Sequence, residues 1–330
     1  MTTDTRPTAE EQCAALIEAA RVGGHAPSVH NTQPWRWSVV GPTLELRAAR
    51  DRQLTVTDPD GRLLTLSCGA ALHHALVELA AAGFQAQVEY GADPTDPDLF
   101  ARVRIPERVP VTAPAMRLLQ TIRIRHTDRR PVSDAPVPPS ALEALRSVAE
   151  AEGAHLHVLR PDDVIELASA AARAQRYESL DPEWMAELSS WAVGGGGAGL
   201  TDDVLPATAP QTTVPGRDFG REGSLQVGPG HDQSAVYAIL YGDEDTPLAW
   251  LRAGQALSAV WLHAVERDLS VLPLSATTEV PATRQTLRRL LADLGEPFLV
   301  LRLGVADPDH AGPPHTPRLP ESETITVVTS

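Results

Sequence analysis

Apolar residues along this chain fall into helix-period and strand-period runs, separated by turns rich in glycine, proline and aspartate. Residues 8–22 set Leu16, Ile17 and Ala20 on one stripe and stop at Gly23-Gly24, the pattern of a helix. Residues 33–40 read as the start of a strand in which Trp35 and Trp37 share one face, as core residues do. Residues 43–49 and 53–57 alternate like short strands divided by the polar turn Arg50-Asp51-Arg52, and Asp58-Pro59-Asp60-Gly61 signals a further turn. Residues 63–82 place Leu72, Ala75, Leu76 and Leu79 at helical spacing before Gly83. Strands are expected at residues 85–90 and 101–105.

The later part of the chain predicts a helix at residues 140–150 and a strand at 154–159. Residues 161–191 are mostly helical, with an interruption at Asp181-Pro182. A buried strand follows at 235–241, a long helix at 247–267, and strands at 270–274 and 298–304. Residues 194–230 break the rhythm. They begin with four glycines, are rich in proline and threonine, and show almost no periodicity, so they read as a lid or as a disordered loop. The glycines lack the Gly-Lys-Ser/Thr of a phosphate loop, and a hinge is the better reading.

A faint internal repeat runs through this pattern. Residues 68–88 overlay 253–273, with Gly69 on Gly254, Ala71 on Ala256, Leu72 on Leu257 and Phe84 on Leu269. Residues 8–40 have a counterpart at 140–159. The reading is a fused pseudo-dimer, with halves at 1–115 and 116–330 and one surviving site where they meet. Chance similarity between two ordinary helix–strand units competes with it.

Composition narrows the function classes. The 330 residues are 42% hydrophobic, enough for one large or two ordinary globular domains. No run approaches the roughly 18 apolar residues of a membrane helix, and the polar start carries no apolar signal region. Cys13 and Cys68 are the only cysteines, so a disulfide framework is not expected and a reducing cytoplasm fits. A formal charge of −15 argues against nucleic acid and anionic membranes as partners. Any bound anion must therefore be held by a local arginine cluster.

Two polar segments stand out. The stretch Pro27-Ser28-Val29-His30-Asn31-Thr32-Gln33-Pro34-Trp35 puts short hydrogen-bonding side chains between two prolines that stiffen the backbone, which suits a polar, planar ligand. Residues 123–130, RIRHTDRR, form the densest basic run in an acidic chain. Alone, such a run is more often a solvated face. His25 and His30 do not have metal-site character, and Ser28 has no neighbouring His-Asp pattern of a nucleophile.

Together these segments resemble the nitroreductase-like FMN-binding family, and most closely its fused Acg group. The first matches a P-S-x-x-N-x-Q-P-W loop, and Arg125-His126-Thr127-Asp128-Arg129 matches an Arg-Arg/His-Ser-x-Arg run, with Thr127 in the serine place. The resemblance implies an α/β (α+β) fold of two similar halves, each a mainly antiparallel sheet flanked by helices. It implies FMN as cofactor, held by Pro27, Ser28, Asn31 and Gln33 of the loop. Arg125, His126, Thr127 and Arg129 would bind its phosphate, with Arg318 of a proline-rich arm at 313–320 closing over it. A lysine that precedes the arm arginine in the family has no match, its place falling near Thr316. Pro273, Leu274, Ser275 and Ala276 fall at a strand end whose amide, best that of Ser275, would donate to flavin N5. No side-chain acid or base is required, so no catalytic residue is assigned.

Two functions follow from the resemblance. One is an FMN-dependent oxidoreductase passing hydride through N5 between NAD(P)H and a small aromatic or quinone-like substrate. The other is a flavin-binding or flavin-sequestering protein whose 194–230 segment covers the cofactor and allows little turnover. A fused pseudo-dimer completes its site within one chain, so a monomer is plausible, with a homodimer also open.

Overall fold

The computed structural model describes residues 6–91, 95–192, 197–228, 230–307 and 312–328. The first half runs α1 (Ala9–Gly23), β1 (Trp35–Val40), β2 (Thr43–Ala48), α2 (Arg62–Ala81), β3 (Phe84–Tyr90) and β4 (Leu99–Arg108). A linking helix, α3 (Ala113–Ile124), leads to the second half. There α4 (Pro139–Ala151) and β5 (His155–Val158) precede an inserted pair, α5 (Pro161–Leu180) and α6 (Pro182–Trp191), and a long loop. The half then resumes with β6 (Val236–Gly242), α7 (Pro247–Val265) and β7 (Leu269–Leu274). It ends through α8 (Ala276–Glu279) and α9 (Pro281–Leu290) into β8 (Glu296–Val305), and the chain finishes with α10 (Glu321–Thr324) and β9 (Ile325–Val328).

The two sheets have the same strand plan. The order β3-β4-β2-β1 in the first corresponds to β7-β8-β6-β5 in the second, antiparallel throughout. The first sheet gains a fifth strand from the far end of the chain, because β9 pairs parallel to β1 with Trp37 opposite Ile325. The C-terminal arm therefore returns to the first half.

Local chemistry explains the element ends. Thr8 and Glu11 cap α1 reciprocally. Asp58 accepts the Leu64 amide at 2.8 Å and anchors the start of α2. The break between α5 and α6 arises because Pro182 cannot continue a helix, while Asp181 accepts the Glu183 and Trp184 amides and starts the next one.

Two expectations are corrected. Residues 53–57 are not a strand: the Val56 and Thr57 amides donate to the Glu187 carboxylate on α6, at 3.0 and 2.9 Å, instead of to a neighbouring strand. Helix α2, by length and composition, is apolar enough to cross a membrane, which the sequence reading missed; 83% of its apolar window is buried inside the protein. It is hydrophobic all round because sheet, α1 and α7 cover it on every side.

Two large clusters form most of the core. Trp35, Trp37, Leu44 and Leu46 pack under α1 and α2, and Leu299, Leu301 and Leu303 pack under α4 and against Trp261 of α7. Helices α2 and α7 cross between them at Gly69 and Gly254. A Cβ on Gly69 would strike the Leu251 carbonyl, and one on Gly254 would strike the Leu66 carbonyl. Leu66 and Gly69 overlay Leu251 and Gly254 in the sequence repeat, so the contact is reciprocal, as a pseudo-twofold axis requires. His73 and Ser258, likewise equivalent positions, bond across it at 2.8 Å. Gly69→Ala is expected to cost about 1–3 kcal/mol or more by overpacking this crossing. The urea midpoint checks this; an unshifted midpoint would mean the helices separate without strain.

Candidate functional site

The early loop is held in a conformation that few side chains favour. His30, Asn31 and Gln33 have φ of 46°, 57° and 50°, a region that asparagine and histidine enter more readily than most residues. Three parts of the chain enforce it. The Asn31 amide donates to the carbonyls of Gly199 and Pro317, each at 3.0 Å. Gln33 donates to the Gly197 carbonyl at 2.7 Å and accepts the Leu319 amide at 2.9 Å. The Ser28 hydroxyl accepts the Gln33 N–H at 2.9 Å, and Ser67 of α2 accepts the Val29 N–H at 3.1 Å. Such over-determined strain is the usual mark of a functional loop.

The basic run passes beneath this loop. Asp128 is bound to Arg130 at 2.7 Å. Arg302 of β8 holds the run's backbone: it pairs with buried Asp232 at 2.8 Å and donates to the carbonyls of Asp128 and Arg130 at 3.0 and 2.6 Å. Arg129 donates to the Val204 carbonyl at 3.1 Å, and burial lowers its pKa to about 10. Arg125 is buried with its guanidinium 4.6 Å over the Trp261 ring, its Nε has no partner, and no carboxylate pairs with it among the described residues. Burial, and then Arg318, lower its pKa to about 9. Arg318 donates to Asn31 Oδ1 at 3.2 Å and to the His25 carbonyl at 3.1 Å, its Nε also lacks a partner, and burial lowers its pKa to about 10.

A cavity of about 770 Å³ joins these parts. Pro27, Ser28, Thr127, Arg129 and Pro273, Leu274, Ser275 and Ala276 line it, so three segments remote in sequence meet there. Asn31, Gln33, Arg125, His126 and Arg318 do not line it. Asn31 and Gln33 spend their amides fastening the arm and the inserted segment. Arg125 lies against Trp261, which does line the cavity. His126 turns toward His315, ring centroids 6.5 Å apart.

Residues 205–222 form the opposite wall. Of the expected lid segment, Gly194, Gly195 and Gly196 and residue 229 lie outside the described residues. A buried latch fastens this wall: Arg217 pairs with Glu178 of α5 at 3.1 Å and Glu279 of α8 at 2.6 Å, and donates to His30 Nε2 at 3.2 Å. His30 must therefore carry its proton on Nδ1, and burial with Arg217 and Arg129 holds its pKa well below the usual histidine range. Phe219 stands edge-on to His30 and beneath Arg129. Sequence reading missed Arg217, Glu178, Glu279 and Arg302, whose roles exist only through contacts across the fold.

The latch makes a pH prediction. Two buried carboxylates share one guanidinium. Burial raises the Glu178 pKa to about 7; Arg217 opposes this and Glu279 adds to it. Once the wall swings open, Glu178 returns toward its ordinary value of 4.5. The closed form therefore binds the extra proton, and its advantage, full below 4.5, is lost as pH rises through about 7. Amide protection factors across 205–222, which are corrected for the base-catalysed rise in intrinsic exchange, are expected to be lower at pH 8 than at pH 6, and Glu178→Gln to abolish the difference. Equal protection factors at both pH values would remove Glu178 from the latch.

The two halves differ at positions that line the cavity. Ser67 and Ser275 line it, and their equivalents in the other half are Arg252 and Tyr90. Arg252 lies 5.6 Å over the Tyr90 ring and against Gly153, so large side chains fill the corresponding space.

Fold and site define a two-sheet α/β protein, its sheets sharing one strand plan, with a roofed, arginine-edged cavity. No protein-family model matches the chain. It is 38% identical over 326 residues to "Putative NAD(P)H nitroreductase Rv3131" of Mycobacterium tuberculosis, covering 97% of this chain and 92% of that protein. It is 34% identical over 321 residues to "Putative NAD(P)H nitroreductase acg" of the same species, covering 94% and 95%. The chain belongs to the nitroreductase-like family. A solved structure of the FMN-dependent nitroreductase NfnB from Mycobacterium smegmatis, in complex with NADPH, aligns with 66% of this chain and 99% of its own at 17% identity and a TM-score of 0.41.

Proposed function

We propose that this protein is an FMN-dependent oxidoreductase of the nitroreductase type, with its cofactor in the roofed cavity. The observation that carries the reading is the buried Arg125 with the half-buried Arg318 acting on it. Each leaves its Nε without a partner. Burying uncompensated charge is costly unless an anion completes the site. A phosphate monoester fits that need, and Thr127 and Arg129 continue the same edge into the cavity.

In this reading Arg125, Arg129, Arg318 and Thr127 hold the phosphate. The Ser28 hydroxyl, already accepting the Gln33 N–H, keeps its own proton to donate to the ligand. Pro273, Leu274 and Ala276 shape the wall, and the Ser275 amide is the donor for flavin N5. Asn31 and Gln33 position the loop. FMN, when bound, supplies the exchange of a hydride with NAD(P)H and with a small aromatic or quinone-like acceptor. The chain's own residues bind it, orient it and exclude water.

The latched wall favours a second reading, flavin sequestration with little NAD(P)H turnover. One experiment tests both. The purified protein is expected to carry one FMN per chain, and mixing it with NADPH without oxygen reads the rest. Fast bleaching supports the oxidoreductase, and no bleaching supports sequestration. A protein that ignores added FMN would end both readings.

A further inference from the structure

We propose that His25, His126 and His315 belong to the phosphate subsite and give it variable charge, so that FMN is taken up together with protons. The inference rests on the cofactor reading above.

Three elements bring these imidazoles to one place. His25 follows α1, His126 lies in the basic run, and His315 lies on the C-terminal arm. His126 and His315 face each other with ring centroids 6.5 Å apart. Arg318 links the arm to the loop through the His25 carbonyl at 3.1 Å and to Thr316 Oγ1 at 2.8 Å. The charged groups acting on the three imidazoles are Arg123 and Arg125 at the end of α3, Arg130 of the run and Arg318 of the arm. Asp128 is the one carboxylate among them, and Arg130 already holds it. Beneath them His74 of α2 is fully buried with both ring nitrogens unpartnered.

Without an anion this cluster resists protonation. Partial desolvation first, and then the neighbouring guanidiniums, lower the pKa of His25 and His315, both of which keep an exposed edge. Burial likewise lowers that of His126, against its bond to the Ile124 carbonyl. That carbonyl can only accept, so the His126 proton sits on Nδ1, 3.1 Å away, and Nε2 is left as an acceptor. A phosphate dianion reverses the balance: it favours the imidazolium form, and Nε2 becomes a second donor. Each imidazole that responds takes one proton from solvent. Arginine alone would give a subsite of nearly constant charge up to pH 8.5, because even the lowered values of Arg125, Arg129 and Arg318, about 9, 10 and 10, lie above it.

The test is flavin titration of unliganded protein by fluorescence quenching from pH 6.5 to 8.5, with FMN and with riboflavin, which lacks the phosphate. Over this range the phosphate, with a second pKa near about 6, is mainly dianionic. For each fully linked proton FMN is expected to bind about tenfold more weakly per pH unit, up to about 100-fold between pH 6.5 and pH 8.5, while riboflavin affinity stays level. The double variant His126→Gln/His315→Gln should flatten the FMN profile and leave riboflavin affinity unchanged, which also reports an intact fold. Flat FMN affinity in a protein that binds both flavins overturns the proposal, as does a double variant that keeps the full slope. Failure of both flavins to bind at any pH overturns the cofactor reading, and this proposal with it.

Discussion

Arg125→Met is expected to lose the cofactor and keep the fold. The guanidinium is buried against Trp261 and carries no ionic partner among the described residues, so in the unliganded protein only the face of that ring offsets the cost of burying its charge. Methionine retains most of the apolar volume on the indole face. A charge-assisted hydrogen bond to phosphate is worth about 1.5–3 kcal/mol, so FMN affinity should fall roughly 10- to 150-fold. Riboflavin affinity should not change, and the melting temperature of the flavin-free variant should equal or exceed that of the parent. Full FMN affinity in the variant would detach Arg125 from the phosphate. A collapse in melting temperature would make it a structural residue instead.

Arg217→Met should unfasten the wall. The pairing is nearly solvent-free, with Arg217, Glu178 and Glu279 side chains 7%, 3% and 1% exposed. Removing the cation strands two buried carboxylates, a change that costs about 3–5 kcal/mol. The rest of the fold does not depend on this contact, so relief comes by opening residues 205–222. Protease cleavage within that stretch should rise by at least tenfold, and bleaching of the FMN-loaded protein by NADPH should accelerate. Unchanged cleavage would show that the wall is held elsewhere, for instance by the Gln175 amide on the Gly216 carbonyl. Faster cleavage without faster bleaching would separate wall opening from nicotinamide access.

Periodicity located most helices and strands because most bury one face, and the stripe of Leu16, Ile17 and Ala20 on α1 records which face that is. It failed where burial was not one-sided. Residues 53–57 alternate like a strand, yet a carboxylate on α6 satisfies their amides. The short strand β9 has no sequence signal beyond a few β-branched residues, and it exists because the edge of β1 is open to it. The overlay of Gly69 on Gly254 was visible in the sequence, but its reason, a close crossing of two helices, was not.

The amino-acid sequence by itself determined the element types, the two-part repeat, and the proline-braced loop and basic run that mark the family. Those features are local, set by dihedral preference, side-chain spacing and charge along a few residues. Tertiary structure alone decided that Arg217 meets Glu178, Glu279 and His30, and that Arg302 clamps the basic run. It also decided that Asn31 and Gln33 fasten the chain to itself, and that the cavity opens on one side of the pseudo-axis and is filled on the other. Those contacts join residues up to 286 positions apart, and a charge buried at such a junction takes its partner from the fold and not from its neighbours in the chain.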